Sequence, residues 1–201
     1  MFRLGVTGSI GSGKSTVTKL LKDLGASSSN SDHVAKEILY SMGYVRDALV
    51  AHFGTQILDP DGGISRHNLA QVVFNNRNNQ KFINNLIHPL VHQETENMME
   101  RAERQNDAWF IVDAPLMFES GISEQMDKVL VVTAPDGQRI KRVCERNQMS
   151  EQDFLKRDKL QMSQDKKTEK ADYIIVNDGS FDDLAAKVED LFKIFKESKF
   201  I

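Results

Sequence analysis

The sequence predicts an α/β fold in which a parallel sheet carries helices on both faces. Two continuous apolar runs, at 108–115 and 128–135, each end in Ala-Pro. Unbroken apolar strands of this kind are typical of a parallel sheet that is buried on both faces. Shorter apolar runs at 2–6 and 172–178 predict further strands. Helical periodicity fills the segments between them, and this alternation indicates an α/β domain.

Each remaining element has its own local signal. The first helix, at 14–25, places apolar residues at helical spacing and ends at a glycine. The polar stretch at 27–32 is a weak candidate for one more strand, which would give a five-stranded sheet. Further helices are predicted at 32–42, 44–54, 65–74, 76–105, 137–147, 150–162 and 180–198.

Three residues mark expected helix boundaries. Asp32 and Ser65 stand where an N-cap is expected, because their short side-chain oxygens can accept from the first backbone N–H groups of a helix. Pro89 lacks a backbone donor and restricts the residue before it. We therefore expect the helix at 76–105 to kink or break at His88.

The length and the order of the elements predict one domain with an insertion. A chain of 201 residues fits a single domain. The strands place its core at 1–43, 106–138 and 171–201. The helix-only stretch at 44–105 is then a subdomain inserted between strands.

Composition excludes several classes of protein. The net charge of −3 argues against a dedicated nucleic-acid binder. No stretch approaches the roughly 20 apolar residues of a membrane span, and the first residues lack the apolar core of a signal peptide. The single cysteine, Cys144, cannot form an intramolecular disulfide, which favours a reducing compartment. We expect a cytoplasmic protein, without nucleic-acid or membrane partners, that is a monomer or a weak oligomer.

The turn after the first strand has the pattern of a phosphate-binding loop. Residues 8–15, here called the glycine loop, match G-x-x-x-x-G-K-[ST] and lie between a predicted strand and a predicted helix. Glycines let backbone N–H groups turn inward around phosphate oxygens, and the helix start adds the positive end of its dipole. The pattern therefore predicts a bound polyphosphate, with Mg²⁺ held by the Ser15 hydroxyl. The residues expected to hold the nucleotide are Gly8, Gly11, Ser12, Gly13, Lys14, Ser15 and Thr16.

The glycine loop alone does not separate a kinase from a switch GTPase or a motor ATPase. The sequence lacks the Asn-Lys-x-Asp motif by which switch GTPases read the base. A motor ATPase would need a longer chain. The small size, the inserted helices and the late arginine-rich helices fit a kinase for a small metabolite better.

Further segments resemble the dephospho-coenzyme A kinase family. The resemblance rests on GVTGSIGSGKSTV, NSDHVAKE, NNLIHPLVHQE, DAPLMFE, RVCERN, RDKLQMSQDKK and ADYIIVNDGS, which occur in the family's order from Leu4 to about Leu191. It implies a three-layer fold of the P-loop NTPase type, with 44–105 as a helical substrate-binding subdomain and 139–170 as a lid. It also implies transfer of a phosphoryl group from ATP to the ribose 3′-hydroxyl of dephospho-coenzyme A, the last step of coenzyme A biosynthesis.

The resemblance assigns catalytic roles to four residues. Asp32 stands at the second aspartate of the family's segment and would be the base that accepts the hydroxyl proton; a plain N-cap is the alternative. Asn30 replaces the family's first aspartate and cannot supply its charge. Lys14 with Arg142 and Arg146 of the lid would stabilise charge on the transferring group; an ordinary solvated helix is the alternative for the arginines.

The remaining assignments concern substrate, metal and base. Arg139 shares the helix face of Arg142 and Arg146 by spacing, whereas Gln161 and Lys167 match the family without an assigned role. The expected substrate residues are Asp32, His88, Glu119 and Arg157, the metal residues are Ser15 and Asp113, and Asn177 lies at the base-binding edge. A structural role is the alternative for His88, Glu119, Asp113 and Asn177. A nucleoside or nucleoside-monophosphate kinase is the alternative enzyme, and a slowly hydrolysing nucleotide switch is the alternative outside the kinases.

Overall fold

The computed structural model describes residues 1–74 and 76–201. Strands and helices alternate along the chain, as the sequence predicts. The strands are β1 (Phe2–Thr7), β2 (Ser27–Asn30), β3 (Trp109–Asp113), β4 (Lys128–Thr133) and β5 (Tyr173–Val176). The helices are α1 (Lys14–Asp23), α2 (Ser31–Ser41), α3 (Gly43–Phe53), α4 (Arg66–Phe74), α5 (Arg77–Arg104), α6 (Asp136–Asn147), α7 (Glu151–Asp158), α8 (Gln164–Thr168) and α9 (Phe181–Glu197), with short 3₁₀ turns at Thr55–Ile57 and Ile122–Gln125.

The five strands form one parallel sheet in the order β2-β3-β1-β4-β5. This confirms the predicted fold class. At the carboxyl edge, Asp113 of β3 is paired with Val6 of β1 and with Asn30 of β2. Open parallel sheets bind ligands at this edge, and the glycine loop leaves β1 there.

The weak strand candidate is a real strand at the border of the sheet. β2 consists of Ser27, Ser28, Ser29 and Asn30 and pairs with β3 alone. Its sequence has low strand propensity. The hydrogen-bonded ladder with the apolar strand β3 therefore determines its conformation.

Apolar side chains cover both faces of the sheet. Along β3, Trp109 and Ile111 belong to a core with α1 and α9, whereas Phe110 and Val112 belong to a second core that includes the last turns of α5. Alternation along one strand thus fills two layers. This places the described helices of the core on both sides of the sheet.

Three predicted helix boundaries are wrong. α2 begins at Ser31, so Asp32 lies inside the first turn and is not the N-cap. α5 runs without a break from Arg77 to Arg104, although it contains Pro89. The buried side chains of Ile87 and Val91 flank the proline, and their packing compensates for the hydrogen bond that proline cannot donate. The helix predicted at 150–162 is also shorter, since α7 ends at Asp158 and a separate helix, α8, follows.

The chain divides into two compact units. One contains Met1–Asn30 and Met98–Ile201 and holds the sheet; the other is Ser31–Asn97. The sequence placed the inserted helices at 44–105. Within the helical unit, the rings of His52 and Phe82 stack with centroids 3.7 Å apart, beside Phe53. Among the described helices, none has both the length and the apolar character required to cross a membrane.

Candidate active site

The glycine loop turns sharply between β1 and α1. Gly11 and Gly13 have φ angles of 82° and 96°, in the left-handed region that favours glycine. The loop is closed by a hydrogen bond from the Ser12 N–H to the Ser9 carbonyl, 3.1 Å long. Among the described residues, the N–H groups of Gly11, Gly13 and Ser15 have no protein acceptor. α1 carries no acidic residue in its first turn, so these donors and the helix dipole form a site for an anion.

Close packing explains why the loop needs glycine at three positions. A β-carbon on Gly8 would stand 2.4 Å from the Val132 carbonyl oxygen, and one on Gly11 would stand 2.6 Å from the Arg139 carbonyl oxygen. A β-carbon on Gly13 would stand 2.1 Å from Nδ2 of Asn177. β4, α6 and the end of β5 therefore all approach the loop backbone. This contact fixes the direction of its amides.

Lys14 and Asp113 form the charged centre beneath the loop. The Lys14 ammonium contacts Oδ1 of Asp113, and the Thr18 hydroxyl donates to Oδ2 over 3.1 Å. Asp113 is buried at the carboxyl end of β3, so its charge depends on these two partners. Ser15, which directly follows Lys14, is exposed in the first turn of α1.

Thr18 is a site residue that the sequence reasoning missed. It lies four positions after Lys14, so the two side chains share a face of α1. A hydroxyl one turn after a phosphate-loop lysine was the available signal. Without the register of β3 against β1, however, nothing in the sequence indicated that both side chains would reach Asp113.

Asn177 connects the end of β5 to the loop. Its side-chain Nδ2 donates to the Ser12 carbonyl over 2.8 Å, and its backbone carbonyl accepts from both terminal nitrogens of Arg142 over 3.2 Å. Arg142 is therefore oriented at the loop by a backbone contact. The amide of Asn177 faces the loop, where it supports the backbone between Ser12 and Gly13.

The arginines of α6 do not form one exposed face. Arg139 is buried, with only 3% of its surface exposed, whereas Arg142 is half-buried and Arg146 is exposed. Spacing places Arg139 on the same helix face as Arg142, but a carbonyl of the glycine loop and carboxylates of α6 and α7 hold its side chain inside the protein. Arg157 of α7 is exposed.

Glu119 and Lys167 form a pair that connects the turn after β3 to α8. The Met162 N–H donates to Oε1 of Glu119 over 2.6 Å, and Nζ of Lys167 lies 3.4 Å from the same oxygen. Lys167 is fully buried and also donates to the Pro115 carbonyl over 2.5 Å. Burial lowers the pKa of Lys167, and the charge and hydrogen bond of Glu119 oppose that shift.

The structure thus gives Glu119 and Lys167 protein partners. The sequence analysis expected Glu119 to contact substrate, but one of its carboxylate oxygens already accepts from Met162 and neutralises Lys167. Lys167, which had no assigned role, connects α8 to the turn after β3. Sequence separations of 43 and 52 positions explain why local patterns did not reveal these contacts.

Two predicted substrate residues belong to the helical unit. Asp32 is exposed in the first turn of α2, two positions after the end of β2. His88 is half-buried inside α5, directly before Pro89. Within the described residues, no group of three or more His, Cys, Asp or Glu side chains is arranged to hold a metal.

Comparison with known proteins agrees with this geometry. Residues 2–183 match the family model for dephospho-CoA kinase. The chain is 37% identical over 186 residues to the dephospho-CoA kinase of Fusobacterium nucleatum, covering 92% of this chain and 94% of that one. It is 31% identical over 193 residues to the enzyme of Halalkalibacterium halodurans, covering 96% of each chain.

Similarity extends to solved structures. A dephospho-CoA kinase from Campylobacter jejuni superposes with a TM-score of 0.73 at 29% identity and covers 98% of both chains. The glycine loop, the Lys14–Asp113 contact and this similarity over nearly the whole length lead to one conclusion: the chain belongs to the dephospho-CoA kinase family.

Proposed function

We propose that the chain transfers the γ-phosphoryl group of ATP to the ribose 3′-hydroxyl of dephospho-coenzyme A, which yields coenzyme A and ADP. The observation that carries the proposal is the glycine loop, which has left-handed glycines and N–H groups without a described protein acceptor and leads into the Lys14–Asp113 contact. Membership of the dephospho-CoA kinase family supplies the acceptor. Phosphoryl transfer needs mainly positioning and charge stabilisation, and the loop is built for both.

ATP would lie with its phosphates against the loop amides. The residues that hold it would be those from Gly8 to Thr16, with Lys14 as the cation nearest to the β- and γ-phosphates. Lys14 contacts Asp113 in the structure, so binding of ATP would draw the ammonium from the carboxylate toward the phosphates. Asn177 supports the loop at Ser12 and lies at the edge where the base would bind.

Arginines of the lid would stabilise the transferring group. Arg142 is oriented by the Asn177 carbonyl, and Arg146 lies one turn further along α6 and is exposed. Planar guanidinium groups bind phosphate oxygens in pairs. Closure of segment 139–170 over the nucleotide would bring these charges to the phosphates and exclude water, which otherwise would accept the phosphoryl group.

Three residues would act on the acceptor. Asp32 would accept the proton of the 3′-hydroxyl, since a carboxylate in an exposed first helical turn is available to a ligand. His88 and Arg157 would contact the acceptor. For Glu119 we propose a different role from substrate contact, because it holds Met162 and Lys167 at the end of the lid.

The residues of the loop suit a magnesium ion. Mg²⁺ prefers hard oxygen ligands and keeps several of its waters. The Ser15 hydroxyl is exposed at the start of α1 and can serve as a ligand. Both oxygens of Asp113 have protein partners, so Asp113 would act on the ion through water. The ion would neutralise charge on the β- and γ-phosphates.

A panel of acceptors tests the proposal. ADP release is measured with ATP and Mg²⁺ in the presence of dephospho-coenzyme A, adenosine, AMP or no acceptor. We expect turnover that depends on dephospho-coenzyme A. Turnover with adenosine or AMP instead would establish a nucleoside or nucleoside-monophosphate kinase, and equal turnover without acceptor would refute the kinase assignment.

A further inference from the structure

Arg139 connects three segments through one buried guanidinium group. Its Nε donates to the Ile10 carbonyl over 3.0 Å, and its Nη1 donates to Oδ1 of Asp136 over 2.7 Å. Its Nη2 contacts Oδ1 of Asp158. The guanidinium carbon also lies 5.5 Å from the centre of the buried Phe154 ring. The glycine loop, the start of α6 and the end of α7 therefore share this one side chain.

The contact with Ile10 reaches the apex of the glycine loop. Ile10 precedes Gly11, and the backbone of α6 at Arg139 is so close to Gly11 that a β-carbon there would stand 2.6 Å from the Arg139 carbonyl oxygen. The side chain of Arg139 thus binds the Ile10 carbonyl, and its main chain packs against Gly11. Because one peptide carries the Ile10 carbonyl and the Gly11 N–H, fixing the carbonyl also fixes where that N–H points.

The contact with Asp158 reaches the lid. Asp158 is the last residue of α7, and Phe154 lies one turn before it. Charged groups from neighbouring elements complete the environment: Lys167 of α8 senses the charges of both Asp158 and Arg139, and Glu119 pairs with Lys167. A buried guanidinium depends most on the partners that solvent screens least, because removing one of these leaves uncompensated charge in the interior.

We propose that Arg139 is a positioning residue for phosphoryl transfer, which makes the orientation of the glycine-loop amides depend on the lid through Asp158. The inference rests on the proposed function, since it assigns ATP to the loop. Arg139 is too buried to contact ATP itself. Its loss would therefore weaken ATP binding without a comparable change in the Michaelis constant for the acceptor.

Two aspartates that share the guanidinium provide a matched comparison. Asp158→Asn removes the negative charge in the ion pair between Arg139 and α7. Asp136→Asn removes the negative charge in the ion pair that Arg139 makes within its own helix, α6. The side chain of Asp136 is 77% exposed, so solvent screens its pair with Arg139 and its loss has little effect. Arg139→Met removes all three hydrogen bonds. Arg139→Lys keeps the positive charge but lacks the planar guanidinium that reaches all three acceptors.

The experiment measures the ATP dissociation constant by calorimetry, both Michaelis constants and the free energy of unfolding for each variant. Since hydrogen bonds to charged groups are stronger than those between neutral groups, we expect Arg139→Met to weaken ATP binding by about tenfold or more. We expect Arg139→Lys and Asp158→Asn to weaken it to a smaller extent and Asp136→Asn to resemble wild type. The Michaelis constant for dephospho-coenzyme A stays within about twofold throughout.

The effects of Arg139→Met and Asp158→Asn should be non-additive in ATP affinity, because the two residues act through one contact. Reduced stability with unchanged ATP affinity would reduce Arg139 to a structural residue and overturn the inference. Equal effects of Asp158→Asn and Asp136→Asn would also overturn it. If Arg139→Met does not fold, Arg139→Lys and Asp158→Asn decide the matter. Absence of acceptor-dependent turnover in wild type would refute the proposed function, while the calorimetric comparison would still test the inference.

Discussion

Asn177 and Gly13 lie so close together that a side chain at Gly13 would displace the Asn177 amide. A β-carbon there would stand 2.1 Å from Nδ2 of Asn177, which donates to the Ser12 carbonyl. The end of β5 therefore shapes the loop from a distance of more than 160 positions in the sequence. Four predictions follow from relationships of this kind.

Gly13→Ala should weaken ATP binding. The substitution places a β-carbon against Asn177 and requires an alanine at a φ of 96°. Gly25→Ala is the matched control, because Gly25 has a φ of 100° and nothing within 4 Å of the added carbon. Both variants should lose about 1–3 kcal/mol of unfolding free energy from backbone strain, measured by urea titration.

The comparison of the two alanine variants isolates the contact with Asn177. Only Gly13→Ala should weaken ATP binding, by about tenfold or more. Each hydrogen bond from a loop N–H to the charged phosphates contributes about 1.5–3 kcal/mol, and the substitution would misplace these donors. Adding Asn177→Gly to Gly13→Ala removes the obstructing amide and should recover part of the loss. Equal ATP affinities for Gly13→Ala and Gly25→Ala would contradict the packing described for the loop.

Lys14→Met should reduce kcat by about 10²–10³, the range for loss of one preorganised donor to developing charge. The variant also leaves Asp113 buried with Thr18 as its remaining described side-chain partner, which should lower the free energy of unfolding. Lys19→Met, on an exposed position of the same helix, controls for the loss of a lysine. Steady-state kinetics and urea titration check both effects; a kcat equal to that of Lys19→Met would remove Lys14 from the reaction.

Asp32→Asn should reduce kcat by about 10²-fold or more, the scale of general-base assistance, and leave ATP binding nearly unchanged. Since Asp32 lies in the first turn of α2, loss of its charge also weakens a favourable interaction with the helix dipole. Asp182→Asn makes the same change in the first turn of α9 and should lower stability slightly without affecting kcat. An unchanged kcat for Asp32→Asn would exclude it as the base.

Lys167 should make stability depend on alkaline pH. Burial lowers its pKa in the folded protein, so between that pKa and the ordinary value of 10.5 the unfolded chain binds more protons than the folded one. The contribution of Lys167 to the free energy of unfolding therefore rises with pH in this window. Wild type should gain stability relative to Lys167→Met as pH increases from neutral toward 10.5.

Urea titrations across this pH range measure the trend, with Lys166→Met, at an exposed neighbouring position of α8, as the control for removal of one positive charge. The difference in unfolding free energy between Lys166→Met and Lys167→Met isolates the contribution of the buried lysine. If the stability of Lys166→Met relative to Lys167→Met falls as pH rises, the described burial of Lys167 is contradicted.

The sequence was sufficient for the elements whose signal is local. Continuous apolar runs identified β3 and β4, and glycine spacing identified the loop, because neither depends on distant residues. β2 was only a weak candidate because its Ser27–Asn30 sequence forms a strand through the ladder with β3. Pro89 misled the prediction for α5, since the packing of Ile87 and Val91 maintains the helix around it.

The residues at the centre of the site were predictable from the sequence, whereas the contacts of the residues around them were less so. Lys14 and Asp113 were identified by motif and strand end, and the structure places them in contact. Spacing alone puts Arg139 on the helix face of Arg142, but a carbonyl 129 positions away holds its side chain inside the protein. Glu119 likewise depends on a backbone amide in another segment. Long-range partners of this kind leave no periodic trace in the sequence.

The most direct test of the central claim is to follow the γ-phosphoryl group itself. Wild type is incubated with Mg²⁺, dephospho-coenzyme A and ATP labelled in that group, and the position of the label is determined by mass spectrometry and phosphorus NMR. The account predicts one labelled phosphoryl group on the ribose 3′-oxygen for each ADP released. Label that appears in inorganic phosphate at the same rate with and without the acceptor would contradict it.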